Sequence, residues 1–410
     1  MIFVTVFIFF ILVLNSYTIL GTWKHFKKTW PKRLWRGFLL FMPLWEIAAV
    51  ILMSYQFQPD YGKSNFVTNL FMGVTFSFFL TKLTINTFLF INDGYRIIKW
   101  PFQSIAKKKP VPLEGRRRFV TNVGIVLAAI PFTGLLYGTL KGKYSYKVWK
   151  HKLAFKELPS SFDGLRIAQI SDIHSGSFDD PEAVREGLRT LMEHKPDLIL
   201  LTGDLVNNFA SEMDDLVDLF RDELDAPFGK YAVMGNHDYG EYVEWGSEAE
   251  KEANIAGVRD QYANIGFKLL DNDATVFDLH GEKISLIGVE NWGGGNFPKF
   301  GDYDLAASKI DPDSFKILMS HDPEHWDQRI IDHDHFVHLT LSGHTHGAQM
   351  GVEIPGWIKW SPVSMRYQRW AGLYEEKDQY LYVNRGFGFI GYPGRIGIWP
   401  EITILDLHQA

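Results

Sequence analysis

Two histidines one residue apart, His344 and His346, follow the apolar run Val337 to Leu341 and are flanked by Gly343 and Gly347. The run has the composition of a buried strand, and the glycines permit a sharp turn as the chain leaves a sheet. On an extended chain residues i and i+2 share a face, so the spacing predicts both imidazoles in one site. Four further apolar runs end in ligand-type residues. Leu165 to Ile170 leads into Asp172 and His174, and Asp197 to Leu201 leads into Asp204. Tyr231 to Met234 leads into Asn236, His237 and Asp238, and Phe315 to Met319 into His321 and Asp322. Oxygen and imidazole donors at the C-terminal ends of strands are what an open α/β sheet offers at its binding crevice. Packing alone does not call for them at five successive strand ends.

The 410 residues allow two or three units. Residues 1–150 carry 20 Lys and Arg against 4 Asp and Glu, a charge of +16, while the remainder carries −22. An acidic second half argues against unspecific nucleic-acid binding, and no nucleic-acid partner is expected. With no cysteine in the chain, disulfides and thiolate sites are excluded, so any metal must be held by nitrogen and oxygen.

The basic half reads as an all-α region of four transmembrane helices within 1–140, at about 1–20, 34–55, 66–91 and 119–140, each long enough for a bilayer core of about 30 Å. The first lacks the basic start and cleavage site of a signal peptide and reads as an anchor. Loop one holds Lys24, Lys27, Lys28, Lys32, Arg33 and Arg36, and loop three is equally basic from Arg96 through Lys107–Lys109 to Arg118. Loop two, 56–65, holds only Lys63 against Asp60. The positive-inside rule then predicts an integral cytoplasmic (inner) membrane protein with its N-terminus and catalytic domain extracytoplasmic. Arg116-Arg117-Arg118 before an apolar run also fits a twin-arginine export signal; with three spans ahead of it and no cleavage site, it reads as a basic flank. Glu46 and Lys82 lie inside spans, ~18 Å and ~14 Å from the ends Leu34 and Ile91 at 1.5 Å per residue. Both depths count from one side, which leaves two readings of equal weight: an ion pair within the bundle, or a Lys82 that snorkels to the interface. Residues 141–162, basic and aromatic and then rich in Pro and Ser, read as a juxtamembrane linker.

Residues 163–410 alternate strand and helix, with helices over Pro181–His194, Asp214–Leu224 and Glu248–Tyr262, and become strand-rich beyond Lys268. That order predicts two sheets covered by helices. The series Asp172-x-His174, Gly203-Asp204, Gly235-Asn236-His237-Asp238, His321 and Gly343-His344-x-His346 resembles the calcineurin-like metallophosphoesterase superfamily. The tail from Arg385-Gly386-Phe387-Gly388 through Arg395 to Pro400-Glu401-Ile402 is similar to its bacterial membrane-associated or exported members. The resemblance implies an α/β fold, a four-layer α/β/β/α sandwich, with a two-metal site between the sheets. It also implies the ligands: Asp172, His174 and His346 for one ion, Asn236, His321 and His344 for the other, and Asp204 bridging. Two divalent ions about 3.5–4 Å apart clamp a phosphoryl oxygen and bring a bridging water towards ionisation near neutrality. The mixed imidazole and carboxylate set suits Mn, Fe or Zn rather than Mg or Ca.

His237 resembles the family's non-ligand histidine, which protonates the leaving alkoxide or steadies phosphoryl charge. Protein phosphatases of the superfamily continue Gly-Asp-x-x-Asp-Arg-Gly, whereas this chain has Asn207 and Asn208 at the Asp and Arg positions. That argues against a protein phosphatase and leaves Asp238 to orient His237. The cluster His325, His333, His335 and His338, interleaved with Asp332 and Asp334, reads as a solvated loop. Gly356 to Tyr374 mixes Trp357, Trp360, Tyr367 and Trp370 with Lys359, Arg366 and Arg369, fit either to pack on its own sheet or to meet a lipid interface.

The expectation is a membrane-anchored phosphoesterase with two divalent metal ions. It would hydrolyse phosphate mono- or diesters, with a lipid headgroup or lipid-linked phosphate among the candidate substrates, by attack of a metal-bridging hydroxide. The rivals are a metal-holding sensory or binding membrane protein with little turnover, and a transporter with an accessory hydrolase domain.

Overall fold

Leu198, Ile199, Leu200 and Leu201 are all fully buried, so this run must lie in a sheet covered on both faces. In the computed structural model, which describes residues 2–56, 63–105, 114–295, 297 and 299–410, these residues form a central strand of the acidic half. Asp60 and Lys107 to Lys109, which entered the loop-charge argument, lie outside the described residues. The chain divides into two compact units, 1–58 with 67–140, and 59–66 with 141–410.

Among its described residues the second unit holds two six-stranded sheets and a two-stranded one, β10 (Val352–Ile354) antiparallel to β11 (Ile358–Trp360). The first has the order β1 (Lys147–Phe155), β14 (Glu401–Gln409), β2 (Arg166–Ile170), β3 (Leu198–Thr202), β4 (Lys230–Val233) and β5 (Lys268–Leu269). The second runs β12 (Gly372–Glu376), β13 (Gln379–Val383), β9 (Leu339–Ser342), β8 (Phe315–Met319), β7 (Glu282–Gly288) and β6 (Asp273–Leu279). β2 to β5 are parallel, as are β13, β9, β8 and β7. Between the sheets Ile167, Leu198, Leu200 and Leu405 meet Leu286, Ile317, Met319 and Leu341. On the other face of the first sheet, Ala168, Ile199 and Leu201 pack on helices α5 (Pro181–Met192), α6 (Val217–Glu223) and α7 (Glu248–Asn264) through Val184, Leu188, Phe220 and Tyr262. On the outer face of the second sheet, Ile287, Leu318 and Leu381 pack on the short helix α8 (Tyr303–Ala307) and on Trp326. This is the expected four-layer α/β/β/α sandwich.

Residues 147–155 correct the linker reading. They form β1, paired in parallel with β14 from Lys147 opposite Glu401 to Phe155 opposite Gln409, and they bury Leu153 and Phe155 between the sheets. β1 is an edge strand with exposed Lys147, Lys150 and Lys152, a device that discourages edge-to-edge pairing and hides the strand's apolar alternation.

The described residues of the first unit form four helices, α1 (Ile2–Thr22), α2 (Thr29–Gln56), α3 (Phe66–Ile105) and α4 (Glu114–Leu140). Thr29–Ile51, Phe66–Pro101 and Gly115–Leu140 are long and apolar enough to cross a membrane, and Phe9–Thr22 of α1 is a shorter apolar stretch. Leu39, Met42 and Phe78 are buried at the centre of the unit, and Trp45 stacks on Phe71 at 4.0 Å. Glu46 of α2 and Lys82 of α3 are fully buried and ion-paired, so the pair and not the snorkelled Lys82 is the arrangement adopted. Asn15 of α1 closes the network, donating to Glu46 Oε2 at 2.8 Å and accepting from Lys82 Nζ at 3.2 Å. Removing one member of such a pair strands the other charge, so Glu46→Gln should lower stability by about 3–5 kcal/mol. Glu46→Gln with Lys82→Met should recover most of that. Thermal midpoints of the full chain in detergent check both, and an unperturbed single variant would show that the pair contributes nothing.

Candidate metal centre

The parallel strands of the two sheets aim their carboxyl ends at one crevice: β2 delivers Asp172 and His174, β3 Asp204, β4 Asn236, β8 His321, and β9 His344 and His346. At the crevice the backbone is forced out of the strand conformation. Asp172, His174, Asp204, His344 and His346 all take left-handed φ, between 49° and 71°. Such residues cost on the order of 1–3 kcal/mol each and persist only where surrounding structure holds them, which is typical of functional sites. Glycines make room for the close approaches: a Cβ at Gly235 would stand 2.2 Å from Asp204 Oδ1, and one at Gly343 1.9 Å from Ser171 Oγ.

All seven predicted ligands come together. Donor atoms of Asp172, His174, Asp204 and His346 lie within 4.8 Å of one another. His174 Nε2 and His346 Nε2 are 3.0 Å apart, and His346 Nε2 is 3.2 Å from Asp172 Oδ1. Asp204 Oδ2 faces two ways, 3.6 Å from His174 Nε2 and 3.1 Å from His321 Nε2. Asn236 Oδ1 gathers the others, at 3.2 Å from His321 Nε2 and 2.8 Å from His344 Nδ1. His344 and His346 do not share a face, as an extended chain would require. The strand ends at Ser342, and the left-handed turn sends His344 towards Asn236 and His346 towards Asp172.

The electrostatics suit cations. Burial, reinforced by Asp204, raises Asp172 to about 7. Burial lowers His174 to about 3 and His344 to about 4, and takes His346 well below its usual value, leaving neutral rings whose lone pairs can ligate. His321 moves the other way. Burial opposes its charge, but Asp204 and Asp172 outweigh that and raise it to about 10. Two buried carboxylates thus call for positive charge where imidazole nitrogens converge, and the residues present fit divalent metal.

Two of the imidazoles are held at their far nitrogen as well. His321 Nδ1 lies 2.7 Å from Thr202 O, and His344 Nε2 2.9 Å from Tyr367 Oη. Such outer contacts fix ring orientation. The guanidinium of Arg395 lies against the His346 ring, with Nη2 3.2 Å from Nδ1. Tyr367 and Arg395 had sequence signals only as members of the aromatic stretch and of the tail motif. His237 packs edge-on to His174 at 4.9 Å and against Tyr242 at 4.4 Å, with Nδ1 2.8 Å from the backbone oxygen of Asn207.

Asp238 corrects the expectation that it orients His237. Its carboxylate is buried beneath the loop and accepts from the backbone N–H of Asp204, Leu205, Val206 and Gly235 and from Tyr262 Oη, at 2.8 to 3.3 Å. It therefore positions Asp204 rather than reaching His237. The histidine cluster beyond β8 is not uniformly solvated either. His325 is buried against Trp292, with Nδ1 2.9 Å from Ser320 Oγ, and buried His338 accepts from Lys316 N at 3.0 Å. These contacts are structural. In the Gly356–Tyr374 stretch, Tyr367 and Trp370 are buried while Trp357 and Trp360 stay exposed.

Two packed sheets with buried Asp and His donors at the ends of their parallel strands make a site for divalent metal. Residues 1–143 match the family described as probable calcineurin-like phosphoesterase, transmembrane domain, and residues 165–348 match calcineurin-like phosphoesterase. The chain belongs to the calcineurin-like phosphoesterase family and is a membrane metallophosphoesterase. It is 33% identical to the metallophosphoesterase YkuE of Bacillus subtilis over 72% of this chain and 98% of that one. It is 29% identical to phosphodiesterase YaeI of Escherichia coli, over 71% and 98%. Against UDP-2,3-diacylglucosamine pyrophosphatase LpxG of Chlamydia trachomatis the identity is 27%, over 56% and 81%.

Proposed function

We propose that the crevice holds two divalent ions and hydrolyses phosphate mono- or diesters of lipid or lipid-linked substrates. The observation that carries this reading is Asp204, whose Oδ2 faces His174 on one side and His321 on the other. Asp172, His174 and His346 would hold one ion, and Asn236, His321 and His344 the second. When bound, the ions supply Lewis acidity at the phosphoryl oxygens and a water-derived nucleophile at neutral pH. The chain's own part is positional. Tyr367 holds the His344 ring in place, the Arg395 guanidinium lies against that of His346, and Asp238 pins the loop that carries Asp204. His237, with Nδ1 against a carbonyl oxygen, presents Nε2 as the atom that hands a proton to the departing oxygen.

A lipid-linked substrate is supported by the membrane unit and by the likeness to LpxG, whose name is that of a pyrophosphatase for a diacylated sugar nucleotide. An extracytoplasmic catalytic unit is supported by the basic loops one and three. The full chain, purified in detergent and loaded with Mn, should cleave chromogenic phosphate esters and release phosphate or headgroup from a phospholipid panel. Turnover of soluble esters with none of any lipid would remove the lipid part of the reading, and no turnover of either would remove all of it.

A further inference from the structure

One end of the helical unit holds a cavity of about 890 Å3, walled by the end of α1, the chain that follows it, α2 and the first turns of α4. Lys24, Lys27, Arg117 and Arg118 line it, and among the described residues no Asp or Glu does. Four cations at one opening repel each other unless an anion sits among them. Arg117 already leans on the protein, with Nη2 3.5 Å from Gly21 O near the end of α1. Lys24, Lys27 and Arg118 are exposed. The same wall is apolar beside the charges: Leu20 and Leu40 are 79% and 52% exposed on helices that otherwise bury their inner faces. Trp23 also lines the cavity, held by the guanidinium of Arg36 at 4.4 Å, and tryptophan is the residue typical of headgroup depth. A small soluble anion would use the cations and leave the leucines idle.

We infer that this cavity is a binding site for a phospholipid with an anionic headgroup. The phosphate lies among Lys24, Lys27, Arg117 and Arg118, and an acyl chain runs along Leu20 and Leu40. Basic pockets between membrane helices recognise lipid in this way. The site is separate from the metal centre and stands whether or not the hydrolase acts on lipids.

The test is native mass spectrometry of the full chain in detergent, titrated with phosphatidylglycerol and with phosphatidylcholine. Phosphatidylglycerol should bind at least about tenfold more tightly. Lys24→Gln/Lys27→Gln/Arg118→Gln should remove that preference, whereas Lys28→Gln/Lys32→Gln/Arg33→Gln, which deletes as much charge outside the cavity, should keep it. Thermal midpoints confirm that each triple variant is folded, and if the first is not, the single exposed changes Lys24→Gln and Lys27→Gln replace it. Equal loss in both triple variants would reduce the effect to general surface charge and overturn the site. Equal binding of phosphatidylcholine, or full displacement of phosphatidylglycerol by millimolar inorganic phosphate, would overturn the lipid assignment.

Discussion

Asp204→Asn is expected to lower kcat/KM for a chromogenic phosphodiester by roughly a thousandfold or more while leaving the protein folded. The exchange preserves shape. The amide oxygen can still accept from His237 N, as Asp204 Oδ1 does at 2.9 Å. What disappears is the charge on Oδ2, the atom that lies between the His174 and His321 nitrogens. A neutral oxygen there cannot hold two cations close together, so metal content measured by elemental analysis should fall together with activity. Stability of the metal-free protein should fall somewhat as well. Burial opposes the Asp204 charge, but His321 outweighs that and holds the carboxyl well below its usual range, so the ionised group stabilises the fold at neutral pH. Relief of its repulsion of Asp172, which burial and then Asp204 raise, offsets only part of the loss. A metal-free variant that is folded but less stable than the metal-free wild type, and nearly inactive with Mn, is the expected pair of results. A variant retaining more than about a tenth of wild-type turnover would remove Asp204 from the bridging position.

How much of this is legible in the chain depends on how locally each feature is determined. Strands such as β3 are buried on both faces and so appear as unbroken apolar runs, with a ligand visible at the end of each. β1 escapes because an edge strand carries lysines outward and meets the core through scattered residues, Val148, Leu153 and Phe155. His344 and His346 are found as ligand types but not as directions, since the extended-chain rule fails once φ turns positive at His344. Tyr367 and Arg395 lie 23 and 49 residues from the histidines they touch, and no local pattern reports a contact made only by the tertiary path. The ion pair of Glu46 and Lys82 is only half legible, because matched depth in apolar helices allows either the pair or a snorkelled Lys82, and the packing of α2 against α3 decides for the pair. Asn15, a third member contributed by α1, carries no charge and gave no such signal.

Asp238 shows most sharply how chain adjacency misleads. It follows His237, but the two belong to a tight helical turn from His237 to Tyr239, where neighbours point apart. His237 Nδ1 meets a backbone carbonyl, and the Asp238 carboxylate turns inward to four amides and a phenol. Asp238→Asn replaces an acceptor-only group by one with an NH2 that faces N–H donors, so buried amides lose their partner and at least one meets another donor. The expected cost is about 3–5 kcal/mol, as for other buried charge networks broken on one side, read as a lowered thermal midpoint. Activity should fall as well, because the backbone of Asp204, Leu205 and Val206 is what the carboxylate holds. That fall should accompany the lowered thermal midpoint, because one set of contacts serves both. His237→Asn should do the reverse, losing turnover while keeping the thermal midpoint. If Asp238→Asn instead lost turnover with the thermal midpoint intact, the carboxylate would be acting on His237 after all, and its role beneath the loop would be secondary.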